Sequence, residues 1–245
     1  MVWVYDGSME GFLTLVARSY LTKTVPEKIS KYPSKISLFD DLMQIQTEDE
    51  LVTKLLGTMQ QRLDPLFYRR IFHAFLCDDC EVEYKLLFYI RLGLKDPSLL
   101  YDISHPIIHA IGSCEKMVLS TLHRMNAFLR FEILQDGTLY AKMEPPRNVL
   151  PLMGKHFCKR FSNERFIIHD LKRGLALVYD GRSMQIYPVV EYDIPRHMED
   201  ERHYQQLWRC FFHQIAIESR INPSLQKSHA PLKYRLWMTE FMQLV

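Results

Sequence analysis

The hydrophobic period of this 245-residue chain changes near residue 127, and that change limits the fold more than any composition figure. Before it, apolar residues recur at helical intervals. After it, they alternate as on a strand with one buried face. Val2 to Tyr5 reads as a short strand, and Ser8 is placed to cap a helix through about Leu21, with Phe12, Leu13, Val16 and Tyr20 on one face. Residues 22–46 read as irregular, because Pro26 and Pro33 break any helix. Thr47-Glu48-Asp49-Glu50 matches a capping box and opens a helix carrying Leu51, Val52, Leu55, Leu56 and Met59. Asp64-Pro65 supplies a cap and first-turn proline for a helix ending near Cys77. A further helix over 81–94 is ended by Asp96-Pro97, and an amphipathic one runs from about Pro106 to Asn126.

Past the change, Phe128 to Leu134, an Asp136-Gly137 turn and Leu139 to Met143 predict a β-hairpin. Pro145-Pro146 ends it, and residues 147–161 return to helix. Phe166 to His169 and Leu175 to Tyr179 read as strands flanking the basic turn Lys172-Arg173-Gly174, with Ser183 to Val189 as another. Helices follow over 199–219 and from Pro231 to Phe241. The expected class is α+β: a mainly helical N-terminal half packed on a small, largely antiparallel central sheet, with C-terminal helices. The expected organisation is one compact domain, 1–245; the alternative divides a helical 1–120 from an α+β 121–245.

Composition narrows the function classes. Thirty aromatics (Phe 14, Tyr 13, Trp 3) supply ample core, and a net charge of +2 gives no global cationic signature. Any case for a polyanionic partner must therefore rest on local clustering. The N-terminus lacks the basic start and apolar run of a targeting peptide, and no segment approaches the ~20 apolar residues of a membrane helix, so a cytoplasmic location without membrane contact is expected. Five scattered cysteines favour reduced thiols. Cys77-Asp78-Asp79-Cys80 is a lone CxxC, with His73 one turn earlier; without a second pair neither a metal site nor any cofactor is expected.

Local clustering is present. Between His123 and Arg182 eleven Lys and Arg face six Asp and Glu, a local excess of five. Arg124, Arg130, Lys155, Lys159, Arg160, Lys172 and Arg173 are the candidate phosphate contacts, with Lys155 and Lys159 four apart on one helix face. Arg220, Asn222 and Gln226 add residue types that contact phosphates and base edges, although Arg220 near a helix end and Asn222-Pro223 in a turn also have ordinary structural uses. His169-Asp170, followed by Arg173, is the candidate reactive cluster, since a carboxylate can orient an imidazole and an arginine can hold an anion. Neighbours on a strand point to opposite faces, so His169 and Asp170 meet only if the strand ends between them. Phosphate-loop, dinucleotide-glycine, nucleophile-elbow and HExxH patterns are absent.

Several stretches together resemble a bacterial family of DNA-metabolism and DNA-repair proteins that is itself a domain of unknown function. They are Tyr5-Asp6-Gly7-Ser8 with Glu10 to Leu13, His123-Arg124-Met125 with Phe128 to Phe131, Leu150-Pro151-Leu152 with His156, Phe157 and Arg160, Ile168 to Gly181, and Arg220-x-Asn222-Pro223-x-x-Gln226. The resemblance runs in order along essentially the whole chain. Family members are similar to proteins encoded beside a radical-SAM protein resembling spore photoproduct lyase, and some are fused to a uracil-DNA-glycosylase-like domain. What the resemblance implies is a DNA-binding role in repair or metabolism alongside a radical-SAM partner, without established catalytic residues. The chain lacks the glycosylase water-activating loop and a helix-hairpin-helix. Two alternatives stand beside that reading. One is an enzyme acting on a nucleotide or DNA base through a His169/Asp170/Arg173 pocket; the other is a protein-only adaptor that docks the radical-SAM partner on its apolar N-terminal helices.

Overall fold

The structure is a computed structural model that describes residues 1–31, 41–78, 81–189 and 198–242. The chain divides into two compact units, Met1–Leu119 and Ser120–Val245. The class is α+β, with helices in both units and a small sheet in each.

In the first unit, strand β1 (Val2–Val4) sits between β2 (Lys28–Ser30) and β3 (Leu42–Gln44), both parallel to it. Helix α1 (Met9–Leu21) starts as expected: Ser8 caps it by accepting the Gly11 N–H. Phe12, Leu13 and Val16 bury its inner face, and Trp3 of β1 is fully buried. Helices α2 (Asp49–Arg62), α3 (Pro65–Phe75) and α4 (Val82–Lys95) complete the core with Met59, Ile71, Leu86 and Ile90. Helix α5 (Pro106–Phe128) follows.

Two expectations change here. Residues 22–46 contain β2 and β3, both of three residues. Exposed positions hide any alternation in strands so short, and their pairing is with a distant strand. The capping box at Thr47 does not form: Glu48 takes the cap position without a side-chain bond, Thr47 donates to Asp6, and Glu48 pairs with Arg18. The cap at Asp64, by contrast, accepts the Leu66 N–H at 2.8 Å. Pro33 and Cys80 lie outside the described residues.

The second unit is built on a five-stranded sheet in the order β4 (Glu132–Ile133), β5 (Leu139–Met143), β6 (Phe166–Asp170), β7 (Leu175–Tyr179), β8 (Met184–Pro188). The hairpin forms at Asp136-Gly137, where Gly137 takes φ +80. Three of the four pairings are antiparallel; β5 and β6 are parallel because helix α6 (Leu150–Arg160) carries the chain across between them. Phe157 of α6 packs among Phe131, Phe161 and Phe166. Cutting Phe157 back to alanine would cost about 3–5 kcal/mol. Gly154 lets α6 approach β7 and β8 closely, since a Cβ there would meet Leu177 at 3.2 Å and the flexible end of Met184 closer still.

Helix α7 (Glu201–Gln214) stops before the expected residue 219, and α8 (Pro223–His229) starts where a plain turn was expected. The expected final helix is two 3-10 turns, Leu232–Trp237 and Thr239–Phe241. No helix of the described residues is long and apolar enough to cross a membrane.

Candidate nucleic-acid interface

Alternation along β6 sends Phe166, Ile168 and Asp170 to one face of the sheet, and Ile167 and His169 to the other. Strand β6 runs through Asp170, so His169 and Asp170 part company and do not share a pocket with Arg173.

On its own face His169 lies beside Lys142 of β5, is 3% exposed, and shares a 2.9 Å hydrogen bond between Nδ1 and the Tyr140 hydroxyl. Burial pushes its imidazole below the ordinary range, Lys142 adds to that, and Asp170 opposes it. Asp170 is fully buried on the other face. Its Oδ2 accepts from Arg173 Nη1 at 2.7 Å, and its Oδ1 accepts the Lys172 and Arg173 N–H groups at 3.1 and 3.3 Å. Burial pushes its carboxyl up, while Arg173 and these donors oppose the rise. The ion pair closes the β6–β7 turn, whose Gly174 has φ +60.

The candidate cations divide into three groups. Arg130 is spent on a carboxylate: Nη2 and Nε reach Glu240 at 2.6 and 3.2 Å, and Nη1 donates to Ala127 and Leu129 carbonyls. Arg173, held by Asp170, belongs with it.

A second group crosses the outer face of α6 and the turns beside its start. Lys155, Lys159 and Arg160 are exposed, while Leu150, Met153, Gly154 and Phe157 point inward. Lys155, Lys159, Arg160 and Lys172 have no carboxylate within 4.0 Å among the described residues. Lys172 Nζ and Arg147 Nη1 both reach the Pro146 carbonyl, at 3.5 and 3.4 Å, four residues before α6 begins. Arg147 was absent from the sequence-based set of contacts; its place beside Pro145-Pro146 was the available signal.

The third group is scattered. Arg124 lies 5.9 Å from the Tyr234 ring, whose other neighbours are Lys233 at 5.1 Å and Phe128 at 5.8 Å. Arg220 and Gln226 are exposed, but Asn222 caps α8, accepting the Leu225 N–H at 3.0 Å. Among the described residues no hydrogen bond or ion pair joins Arg124, Arg220, Asn222 or Gln226 to the α6 row.

Lys142 sits between the rings of Tyr140 and Trp237, at 5.6 and 5.5 Å. The cavity beside it, lined by Phe128, Lys142, Tyr234 and Trp237 among others, measures about 20 Å³. That is room for about one water, not for a base. Among the described residues no cluster of three or more His, Cys, Asp and Glu could hold a metal ion, and His73 of the cysteine-rich stretch is paired to Glu115 at 3.1 Å.

Charge separates the two units. Eighteen Lys and Arg against thirteen Asp and Glu leave residues 120–245 at +5, whereas thirteen against sixteen leave residues 1–119 at −3. A family model described as a domain of unknown function, DUF4130, matches residues 81–240. No curated protein and no solved structure matches the chain.

Proposed function

The chain belongs to the DUF4130 family, and since that family's description carries no activity, we propose a function from the site itself: binding of DNA along the basic face of α6 and the adjoining β6–β7 turn. The observation that carries this reading is the row Lys155, Lys159 and Arg160, exposed and without carboxylate partners among the described residues. A solvated helix face usually intersperses its lysines with glutamates at i,i+4, and this face does not. Helix α6 spans 11 residues. At 1.5 Å per residue that is about 16 Å, the rise of about five phosphates of one strand. Lys172 extends the row beyond the helix start. Contacts of this kind position a protein on the phosphate backbone without reading sequence.

The resemblance to DNA-repair proteins supports placing this binding in a repair or DNA-metabolism setting, with a radical-SAM protein as partner. The test is fluorescence anisotropy with labelled single- and double-stranded oligonucleotides. Reversing charge at Lys155, Lys159 and Arg160 together should weaken binding at least tenfold without changing thermal stability. Equal affinity of the two proteins would overturn the proposal.

A separate observation favours a protein-docking role beside it. Leu207, Phe211, Ile215, Ile221, Leu225 and Leu236 are all more than half exposed, an unusual density of bare apolar side chains in one C-terminal stretch. It stands beside the N-terminal helices as a second candidate adaptor surface. Purified radical-SAM partner should be retained by the protein without DNA, and lose that retention in a Leu207→Asp, Phe211→Asp variant. Retention unchanged by these substitutions would count against it.

A further inference from the structure

A second cleft lies within the unit Met1–Leu119. It occupies about 440 Å³ and is lined by Tyr20, Phe88, Arg91, Lys95 and His105, together with aliphatic side chains. Three cation-capable groups and two aromatic rings therefore face one space, and no carboxylate of the described residues lines it.

Each polar group is prepared to donate. Arg91 Nη1 is fixed to the Ser19 carbonyl and hydroxyl at 3.2 and 3.0 Å, and its guanidinium stacks 4.8 Å from the Tyr20 ring. Its remaining nitrogens have no hydrogen-bond partner among the described residues. An arginine held at one edge keeps the rest of its planar fork for a bidentate anion. His105 Nδ1 accepts the Ile107 N–H at 3.2 Å, which places the proton of the neutral ring on Nε2 as a donor. Lys95 ends α4, exposed and without a carboxylate partner among the described residues. Asp96 and Asp102, beside Lys95 and His105 in the chain, do not line the cleft; they accept from Ser98 and Ser104 and keep their charge within electrostatic reach of those two cations. Helix α5 begins at Pro106, beside His105, and adds the positive end of its dipole.

Tyr20 is 38% exposed, so its ring presents a face to the cleft mouth. Burial raises its hydroxyl above the ordinary phenol range, so the ring stays neutral. The volume suits a ligand of a few hundred cubic ångströms. A purely anionic ligand would leave the rings unused, and a purely apolar one would leave three donors unpaired.

We propose that this cleft binds a nucleoside monophosphate unit, its phosphate on Arg91, Lys95 and His105 and its base against Tyr20 and Phe88. The unit can come from a free nucleotide or from the 5′-phosphorylated end of a strand.

Calorimetric titration of the full chain tests this with four probes: dAMP, deoxyadenosine, inorganic phosphate and a 5′-phosphorylated dinucleotide. One of the two nucleotides should bind at least tenfold more tightly than deoxyadenosine or inorganic phosphate. Preference for the dinucleotide identifies a strand end, and preference for dAMP a free nucleotide. Arg91→Gln should weaken binding at least tenfold; because Arg91 also holds Ser19, Lys95→Glu, which breaks no bond described, should do the same in an intact fold. Repeating the titration with the α6 charge-reversed protein separates this site from the DNA surface, and binding should persist there. Binding no better than that of inorganic phosphate, or binding indifferent to both cleft substitutions, would overturn the proposal.

Discussion

Arg173 points its guanidinium at Asp170, three residues earlier, and holds a carboxylate with no solvent exposure at 2.7 Å. The pair explains why the basic turn after β6 is not simply a cationic loop: one of its two charges is consumed in building it.

Removing either partner leaves a buried charge uncompensated. Asp170→Asn and Arg173→Met should each destabilise the protein by about 3 kcal/mol in urea unfolding. Arg173→Met should leave DNA affinity within about threefold of the parent in the folded protein. A large affinity loss with unchanged stability would return Arg173 to the phosphate contacts.

Gly174 in the same turn has φ +60, and a Cβ there would approach the Val189 carbonyl to 3.1 Å. Gly174→Ala should cost about 1–2 kcal/mol, the usual penalty for an L-residue in the left-handed region. Thermal unfolding measures it, and an unchanged midpoint would show that the turn relaxes.

His169 is buried with its pKa below 6.5. The unfolded chain then takes up a proton that the folded protein refuses, so stability is complete above about pH 6.5 and falls as pH drops through the folded pKa. Unfolding free energies between pH 7.5 and 5 should decline in the parent and flatten in His169→Gln. Parallel curves would place the titration elsewhere.

Glu240 carries the opposite chemistry with the same sign. Burial raises its carboxyl, but hydrogen bonds from Arg130 and Trp208 outweigh it and hold the pKa below the usual 4.5. Its stabilisation is present above about pH 4.5 and is lost as pH falls through the folded value. Acid unfolding of the parent should therefore begin at higher stability than that of Glu240→Gln and converge with it at low pH. Curves that stay apart at low pH would contradict the pairing.

What was legible in the sequence follows from the range of each interaction. Ser8, Asp64-Pro65 and Asp136-Gly137 act within three or four residues, and α1, α3 and the β4–β5 hairpin form where those signals stand. Strands β2 and β3 depend on β1, tens of residues away, and leave no local pattern. A final helix was expected over residues 231–241, but Tyr234 packs on Phe128 and Glu240 pairs with Arg130, both far away in the chain, and the backbone there forms 3-10 turns. At the site, the α6 cations were readable because a helix fixes its own outer face. The fates of Arg130 and Arg173 were not equally open: Asp170 lies in the same turn as Arg173, whereas Glu240 is 110 residues from Arg130. The Arg91 cleft gave no signal, since its residues come from α1, α4 and the turn that leads into α5.

The central claim is that Lys155, Lys159 and Arg160 meet phosphates, and the salt dependence of DNA affinity tests it most directly. Each phosphate contact contributes about −0.7 to −0.9 to the slope of log K against log salt. The account predicts a steep negative slope for the parent and one shallower by about 2 for the triple charge-reversed protein. Two identical slopes, or affinity that salt does not change, would contradict it.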